Sequence, residues 1–356
     1  MTSRADRRAH VVGLGLIGSS LALALRDAGW HVSGTDLDPT IVNAAVASGF
    51  VRSSSMDDEV ELVIIATPAG AVVDVANALL RAHHRESLVM TDVAGVKGSI
   101  TTQVRDPRFI GGHPMAGSEL RGLAGARTDL FQGCTWVLTP TTRTTAQTYG
   151  QLHGVLRELG ANVVAVEASE HDRLVAVASH VPHLLAGALM NEAARVAEQD
   201  AVLLQLAAGG FRDMTRVAAG DPSIWPDVLF ENRDAVAQAL QALEERVRAL
   251  RRDVERGDRE SLTKSLRDAA QARRQLPGRA LDASHLTYLR VGVSDQPGVL
   301  SRVTTAASEM LVNIYDIEIA HGIEGTSGTL LLAVDGVQGE LFASALREMG
   351  FSVGVE

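Results

Sequence analysis

Gly13-Leu-Gly15-Leu-Ile-Gly18 constrains this chain more than any other feature of its sequence. It follows a β-rich run at residues 9–12 and opens a helical stretch at 19–26. In that place Gly13 permits a tight turn, Gly15 lets the backbone approach a pyrophosphate, and Gly18 lets the helix pack closely on the strand. The positive helix end, with the backbone of Leu16 and Ile17, then faces the phosphates. A second β-rich run, 31–35, ends at Asp36. A carboxylate there can accept hydrogen bonds from a ribose and repels a 2′-phosphate. No arginine or lysine follows before Arg52, so the expected dinucleotide is NAD rather than NADP. A merely tight strand–helix turn would leave Asp36 unexplained.

The pattern continues to about residue 165, with further β-rich runs at 62–66, 87–91, 108–110, 135–138 and 162–166 between helical stretches. Such alternation predicts a mostly parallel sheet with helices on both faces, and runs that are apolar throughout suit strands buried on both sides. Thr67-Pro68, after the run at 62–66, either borders the nicotinamide ribose in the crevice over the sheet or simply ends a strand. From about 169 to 275 the strand signal is gone. Val236, Leu240, Leu243, Val247, Leu250 and Val254 repeat at spacings of four and three, one apolar stripe of a long helix. Gly257 interrupts it before a second helix. The stripe fits a core-facing helix of a bundle, a dimer interface, or both. Residues 275–279 resemble a linker, and beyond them comes the order βαββαβ of a ferredoxin-like unit. The expected division is an α/β Rossmann domain at 1–168, an all-α helical dimerisation domain at 169–280 and an α+β domain at 285–356.

Composition excludes several classes. With 46% hydrophobic and 21% charged residues the chain has ample material for packed cores and is not disordered. No stretch approaches 18 uninterrupted apolar residues, so no membrane partner is expected. A net charge of −10 without a basic run argues against nucleic acid. The single Cys134 and the lack of an apolar leader point to a reducing cytoplasm. Only two lysines occur, Lys97 and Lys264.

Three clusters carry candidate chemistry. In Gly111-Gly-His-Pro-Met-Ala-Gly-Ser-Glu119, His113 sits at a strand's carboxyl end, facing the ligand crevice of an α/β sheet. A histidine there can take the proton that alcohol oxidation by NAD releases. In Ser179-His180-Val-Pro-His183, the two histidines could suggest a metal, but Pro182 reads as a helix start and no third ligand is evident, so substrate contact is favoured and no metal is expected. The third cluster is Gly209-Gly-Phe-Arg-Asp-Met-Thr-Arg216 followed by Asp221-Pro-Ser-Ile-Trp225 and Glu231-Asn-Arg233. Its arginines suit a substrate carboxylate, or a solvated connection between helices.

Taken together these segments, with Asp92-Val-Ala-Gly-Val-Lys97, resemble the prephenate/arogenate dehydrogenases over nearly the whole chain. The resemblance implies oxidative decarboxylation: a hydride passes to NAD, the ring carboxylate leaves as carbon dioxide, and the ring becomes aromatic. It implies that His113 takes the hydroxyl proton and that Arg216 binds a substrate carboxylate. Ser179, His180 and His183 line the pocket, Ser118 and Glu119 gate or polarise it, and Gly209, Asp213 and Trp225 close it. Prephenate is expected over arogenate as substrate. One position departs from the pattern: many relatives carry a serine where this chain has Gly95. The C-terminal part resembles an ACT domain, in which Asp295, Pro297, Gly298, Leu300 and Asn313 would frame a site for an amino acid, tyrosine being expected, in a homodimer. A hydroxyacid dehydrogenase would need a lysine in the helical domain, and none lies between Lys97 and Lys264. A non-catalytic, NAD-binding amino-acid sensor is the alternative of another class.

Overall fold

The structure, a computed structural model, describes residues 7–117, 120, 122–200, 202–275, 286–294, 299–312, 314–321 and 327–355. It divides into two compact units, one running to Arg246 and the other from Val247.

The first unit is built on a seven-stranded sheet. In chain order its elements are β1 (Arg8–Val12), α1 (Leu16–Asp27), β2 (His31–Thr35), α2 (Pro39–Ala47), β3 (Leu62–Ile65), α3 (Ala69–Ala82), β4 (Val89–Asp92), α4 (Gly98–Gln103), β5 (Phe109–Pro114), β6 (Thr135–Thr139), α5 (Ala146–Glu158) and β7 (Asn162–Ala165). The strands lie in the order β2-β1-β3-β4-β5-β6-β7. All neighbours are parallel except β5 and β6. Every residue of β3 is buried because helices cover both faces: Leu62 and Ile64 belong to one core with Leu21, Leu25 and Trp136, while Val63 and Ile65 belong to another with Val72, Leu80 and Met90.

Two boundaries differ from the sequence reading, each for a physical reason. Helix α1 begins at Leu16 rather than 19, so Gly18 lies inside its first turn. Strand β5 runs on to Pro114 because its second half pairs antiparallel with β6, Gly112 opposite Leu138 and His113 opposite Val137. His113 therefore lies within a strand rather than after one.

His10, buried at 2% exposure in β1, contacts the hydroxyls of Ser33 (2.8 Å) and Thr35 (3.2 Å). Burial, with His83 nearby and only partly opposed by Asp57, lowers its pKa to about 4. The folded ring thus stays neutral while the unfolded ring gains a proton near 6.5, so stability falls as pH drops from 6.5 towards 4. The loss attributable to this ring is about 3 kcal/mol. Urea unfolding across that window should show a shallower acid loss in His10→Gln than in the parent; equal slopes would exclude His10 as the source.

Beyond β7 the chain is helical: α6 (Ala168–Val175), a wide π turn at Ala176–His180, α7 (Val181–Ala197), α8 (Val202–Leu206), α9 (Gly209–Thr215), α10 (Trp225–Glu231), α11 (Arg233–Arg256) and α12 (Arg259–Arg274). Pro182 stands in the first turn of α7, as expected, but the chain before it is already helical, so that Ala168–Ala197 is one continuous helix of 30 residues. The proline's missing N–H would break a regular turn, and it falls in the first turn after the wide one. This helix has the length and apolarity of a membrane span, with 28% of that window buried, but it also carries the polar groups of the site described below. The apolar stripe of α11 is fully buried only at Val236; Leu240, Leu243 and Leu250 are partly covered, and Val247 and Val254 are 55% and 66% exposed within the single chain.

In the second unit, β8 (Leu286–Ser294), α13 (Val299–Glu309), β9 (Ile314–His321), β10 (Ser327–Asp335), α14 (Gly336–Glu348) and β11 (Ser352–Val355) follow the expected βαββαβ order. The strands form an antiparallel sheet, β11-β8-β10-β9, whose buried face packs Leu289, Val291, Leu330 and Leu332 against Val303, Phe342 and Leu346 of the helices. Of the expected effector residues, Asp295, Pro297, Gly298 and Asn313 lie outside the described residues. Leu300 lies on α13, with its side chain outside them.

Candidate active site

The turn between β1 and α1 is shaped by contacts that only glycine tolerates. Gly13 has φ +92°, and a Cβ on it would lie 2.5 Å from the carbonyl oxygen of Ala66. A Cβ on Gly18 would collide with the carbonyl of Gly13. Gly15 faces open space, with nothing within 4 Å of the place its Cβ would occupy. No side chain caps α1, whose first helical bond runs from the Ser19 N–H to the Gly15 carbonyl. The N–H groups of Leu16, Ile17 and Gly18 therefore point out of the helix end as donors for an anion. Asp36 accepts from the N–H of Leu14 (2.7 Å) and of Asp38 (3.0 Å), which ties the acidic end of β2 to the glycine turn. Thr67 and Pro68 lie between β3 and α3 at the same edge of the sheet, and the Thr67 hydroxyl is buried without a hydrogen-bond partner among the described residues. An open backbone cradle, an anchored carboxylate and an unpartnered hydroxyl fit the pyrophosphate, ribose and nicotinamide ends of NAD.

Across this edge His113 is the centre of a polar cluster assembled from four segments. Strand β7 ends at Ala165, which pairs with Leu138, itself opposite Gly112. The chain thus enters α6 beside His113 and delivers His171 and Asp172 to it. His113 Nδ1 lies 2.9 Å from His171 Nε2, and His171 Nδ1 lies 2.8 Å from Asp172 Oδ1. Asp172 also accepts from the N–H of Lys97 (2.8 Å) and Gly98 (2.7 Å), fixing the start of α4. Beneath these, Lys97 is fully buried in an ion pair with the equally buried Asp92, which also accepts from the N–H groups of Ala94 (2.9 Å) and Gly112 (3.2 Å). The Nε2 edge of His113 faces Gly95, where an added Cβ would stand 3.8 Å from it and 3.8 Å from Val228.

The electrostatics follow from this packing. Burial, then the Lys97 ammonium and the His171 and His180 rings, hold the His113 imidazole well below its ordinary pKa, so it rests neutral. Burial works to raise the Asp172 carboxyl, but the His171 and backbone N–H groups outweigh it and keep it below the usual range. Burial lowers the Lys97 ammonium, against the pull of Asp92 and Asp172.

The wide turn places the next residues. In an unbroken α-helix Asp172 and His180 would stand about 80° apart around the axis, and a turn that absorbs one residue brings them within about 20°. Asn232, between α10 and α11, bridges the two: its amide donates to the Asp172 carbonyl (2.8 Å) and lies 3.2 Å from His180 Nδ1. His183 stacks flat on Trp225 at 3.7 Å, and Gly220 lies against the same ring. Among the described residues no group of three His, Cys, Asp or Glu side chains could hold a metal.

The structure therefore brings His113, His180, His183 and Trp225 into one cluster, with Ser179 half-buried in the wide turn. Gly209, Asp213 and Arg216 lie on α9 and the turn after it, both packed on α7, with the two charged side chains exposed. Ser118 and Glu119 lie outside the described residues. The sequence reading missed His171 and Asp172, whereas Asn232 falls in the Glu231-Asn-Arg233 end of its third cluster. The only available signal was Glu170-His171-Asp172 at the head of an otherwise apolar helix.

A Rossmann sheet with a nucleotide cradle, joined to helices that bring a polar cluster to a neutral histidine, defines an NAD-dependent dehydrogenase. Comparison with known proteins gives the family. Models described as the nucleotide-binding domain and the dimerization domain of prephenate dehydrogenase match residues 21–165 and 167–268. A prephenate dehydrogenase of Bacillus subtilis is 33% identical over 336 residues, 91% of each chain. The crystal structure of prephenate dehydrogenase from Aquifex aeolicus, in complex with hydroxyphenyl propionate and NAD+, aligns with TM-score 0.70 and 28% identity over 76% of this chain and 99% of that one. An arogenate dehydrogenase structure from Synechocystis aligns with TM-score 0.65 and 31% identity over 75% of this chain and 98% of that one. The chain belongs to the prephenate dehydrogenase family.

Proposed function

We propose that this enzyme catalyses the NAD-dependent oxidative decarboxylation of prephenate to 4-hydroxyphenylpyruvate, in the biosynthesis of tyrosine. The observation that carries the reading is the neutral His113 with its Nε2 edge turned to Gly95, where a glycine leaves it room, on the same sheet edge as the nucleotide cradle. NAD, when bound, supplies the hydride acceptor. Gly13, Gly15, Leu16, Ile17 and Gly18 would hold its pyrophosphate, Asp36 its adenosine ribose, and Thr67 and Pro68 its nicotinamide end. His113 takes the proton of the ring hydroxyl as hydride leaves the same carbon. Loss of the ring carboxylate as carbon dioxide sends its electron pair into the ring, and the proton returns to the new phenol oxygen. Arg216 binds a substrate carboxylate, Ser179, His180 and His183 line the pocket, and Gly209, Asp213 and Trp225 close it, with Ser118 and Glu119 beside the base. Because aromatisation drives the reaction, these groups mainly position the ring.

Arogenate is the second reading, favoured by the similarity to the Synechocystis structure. The partly exposed stripe of α11 and the exposed Leu174, Val177 and Leu185 of the 30-residue helix suit a homodimer built on the helical domain, working in the cytoplasm. The C-terminal βαββαβ unit suits an ACT domain that binds tyrosine as feedback inhibitor. NADH formation should be measured with prephenate and separately with arogenate, each with and without tyrosine. Turnover of prephenate, slowed by tyrosine, is expected. Turnover of arogenate alone would replace the substrate, and turnover of neither with NAD still bound would overturn the reading in favour of an NAD-binding sensor.

A further inference from the structure

The hydrogen bonds behind His113 have a direction. The Asp172 carboxylate can only accept, so the proton on the His171 side that faces it must sit on Nδ1. When that is the only proton His171 holds, its Nε2 is bare and can only accept from His113, which then carries its own proton on Nδ1. His113 Nε2 is thereby left bare, on the edge that faces Gly95 and the crevice. Asp172 is itself held from behind by the N–H groups of Lys97 and Gly98, so it cannot turn to another partner without uncapping α4.

The charges nearby favour a proton stored here. Those packed around the two rings, among the described residues, are the carboxylates of Asp92 and Asp172 and the ammonium of Lys97, with the neutral His180 ring held by Asn232. Two anions and one cation leave this buried cluster one positive charge short of neutrality. A proton arriving through His113 supplies it, and the His171 ring, against Asp172, is the place where that charge is best stabilised. The chemistry requires storage rather than release, because the hydroxyl proton reappears on the phenol oxygen of the product.

We propose that Asp172 and His171 are positioning residues that fix the tautomer of His113 and hold the proton it borrows. This rests on the assignment of His113 as the base. As the substrate O–H bond breaks, an N–H bond forms at His113 Nε2. The His113 Nδ1–H proton passes to His171 Nε2, leaving His171 as an imidazolium hydrogen-bonded through Nδ1 to Asp172. The same path runs backwards when the phenolate oxygen forms and is protonated.

Two variants separate the parts. In His171→Gln the amide oxygen can still accept from His113 but cannot carry the proton. In Asp172→Asn the far end can donate, which reverses the chain and puts the proton on His113 Nε2. With the full-length protein, kcat for prephenate should fall about 100-fold or more in both, on the scale of general-base effects. KM for prephenate and the Kd for NAD should stay within about threefold, since both residues stand on the Nδ1 side of His113, away from the edge that faces Gly95. In the full-length protein with NAD, 15N-histidine spectra should show His113 protonated at Nδ1 and bare at Nε2, with the His113 signals identified by their loss in His113→Asn. If Asp172→Asn does not fold, His171→Gln, which leaves the caps on Lys97 and Gly98 in place, decides the question. A proton on His113 Nε2 in the parent protein, or variants that keep kcat within about threefold while His113→Asn is inactive, would overturn the proposal. An active His113→Asn would instead remove the base on which it rests.

Discussion

Replacing His113 with asparagine should lower kcat for prephenate by about 1,000-fold, in the middle of the range for removing a general base. Asparagine is smaller, neutral and able to pair with His171, so the strand register opposite Val137 should persist. Binding of NAD should change little, because the cradle at Gly13–Gly18 and Asp36 lies on other elements. In the parent enzyme the acid limb of kcat should lie below 6.5, since burial and Lys97 keep the ring neutral through the ordinary range for histidine. Steady-state rates from pH 5 to 8 for the parent, with NAD titrations of both proteins, test the two statements. A variant with parental turnover would take His113 out of the mechanism.

The second large effect concerns stability. Lys97→Met leaves the Asp92 carboxylate fully buried with its two backbone donors and no cation. Breaking a buried pair from one side typically costs about 3–5 kcal/mol, a large share of the roughly 5–15 kcal/mol that holds a domain together. The retained N–H donors of Ala94 and Gly112 place the expected loss near the lower end. All three tryptophans, Trp30, Trp136 and Trp225, lie in the first compact unit, so their fluorescence in a denaturant titration reports that unit alone. A loss below about 1 kcal/mol would show that the pair does not hold the loop between β4 and α4.

Much of this was legible in the sequence where the constraint is local. Gly13 and Gly18 are dictated by backbone atoms of Ala66 and Gly13 that stand where a side chain would go, and the motif announces both. The βαββαβ order of the second unit could be read from alternation and turn residues alone. What was not legible depends on distant chain segments. Gly111-Gly112 looked like a loop, yet it is strand: a Cβ on Gly112 would lie 2.7 Å from the Asp92 carbonyl and the Thr91 hydroxyl, so glycine is needed for close strand packing. His171-Asp172 belongs to no motif that the sequence displays. Its meaning comes from a contact 58 residues away, set by where β7 happens to end. The wide turn before Pro182 left no mark in the sequence, because a proline suits the first turn of a helix whether the chain before it is coil or a looser helix.

The burial of Lys97 makes the chain its own sensor of opening. Of two lysines, Lys264 is exposed and Lys97 is sealed beneath the catalytic crevice. An amine-reactive label should reach Lys264 at once and Lys97 only in molecules whose crevice floor has come apart. The ratio of the two modifications, read by mass spectrometry, would count those openings under native conditions, and the rarity of lysine in this composition would serve as a clock.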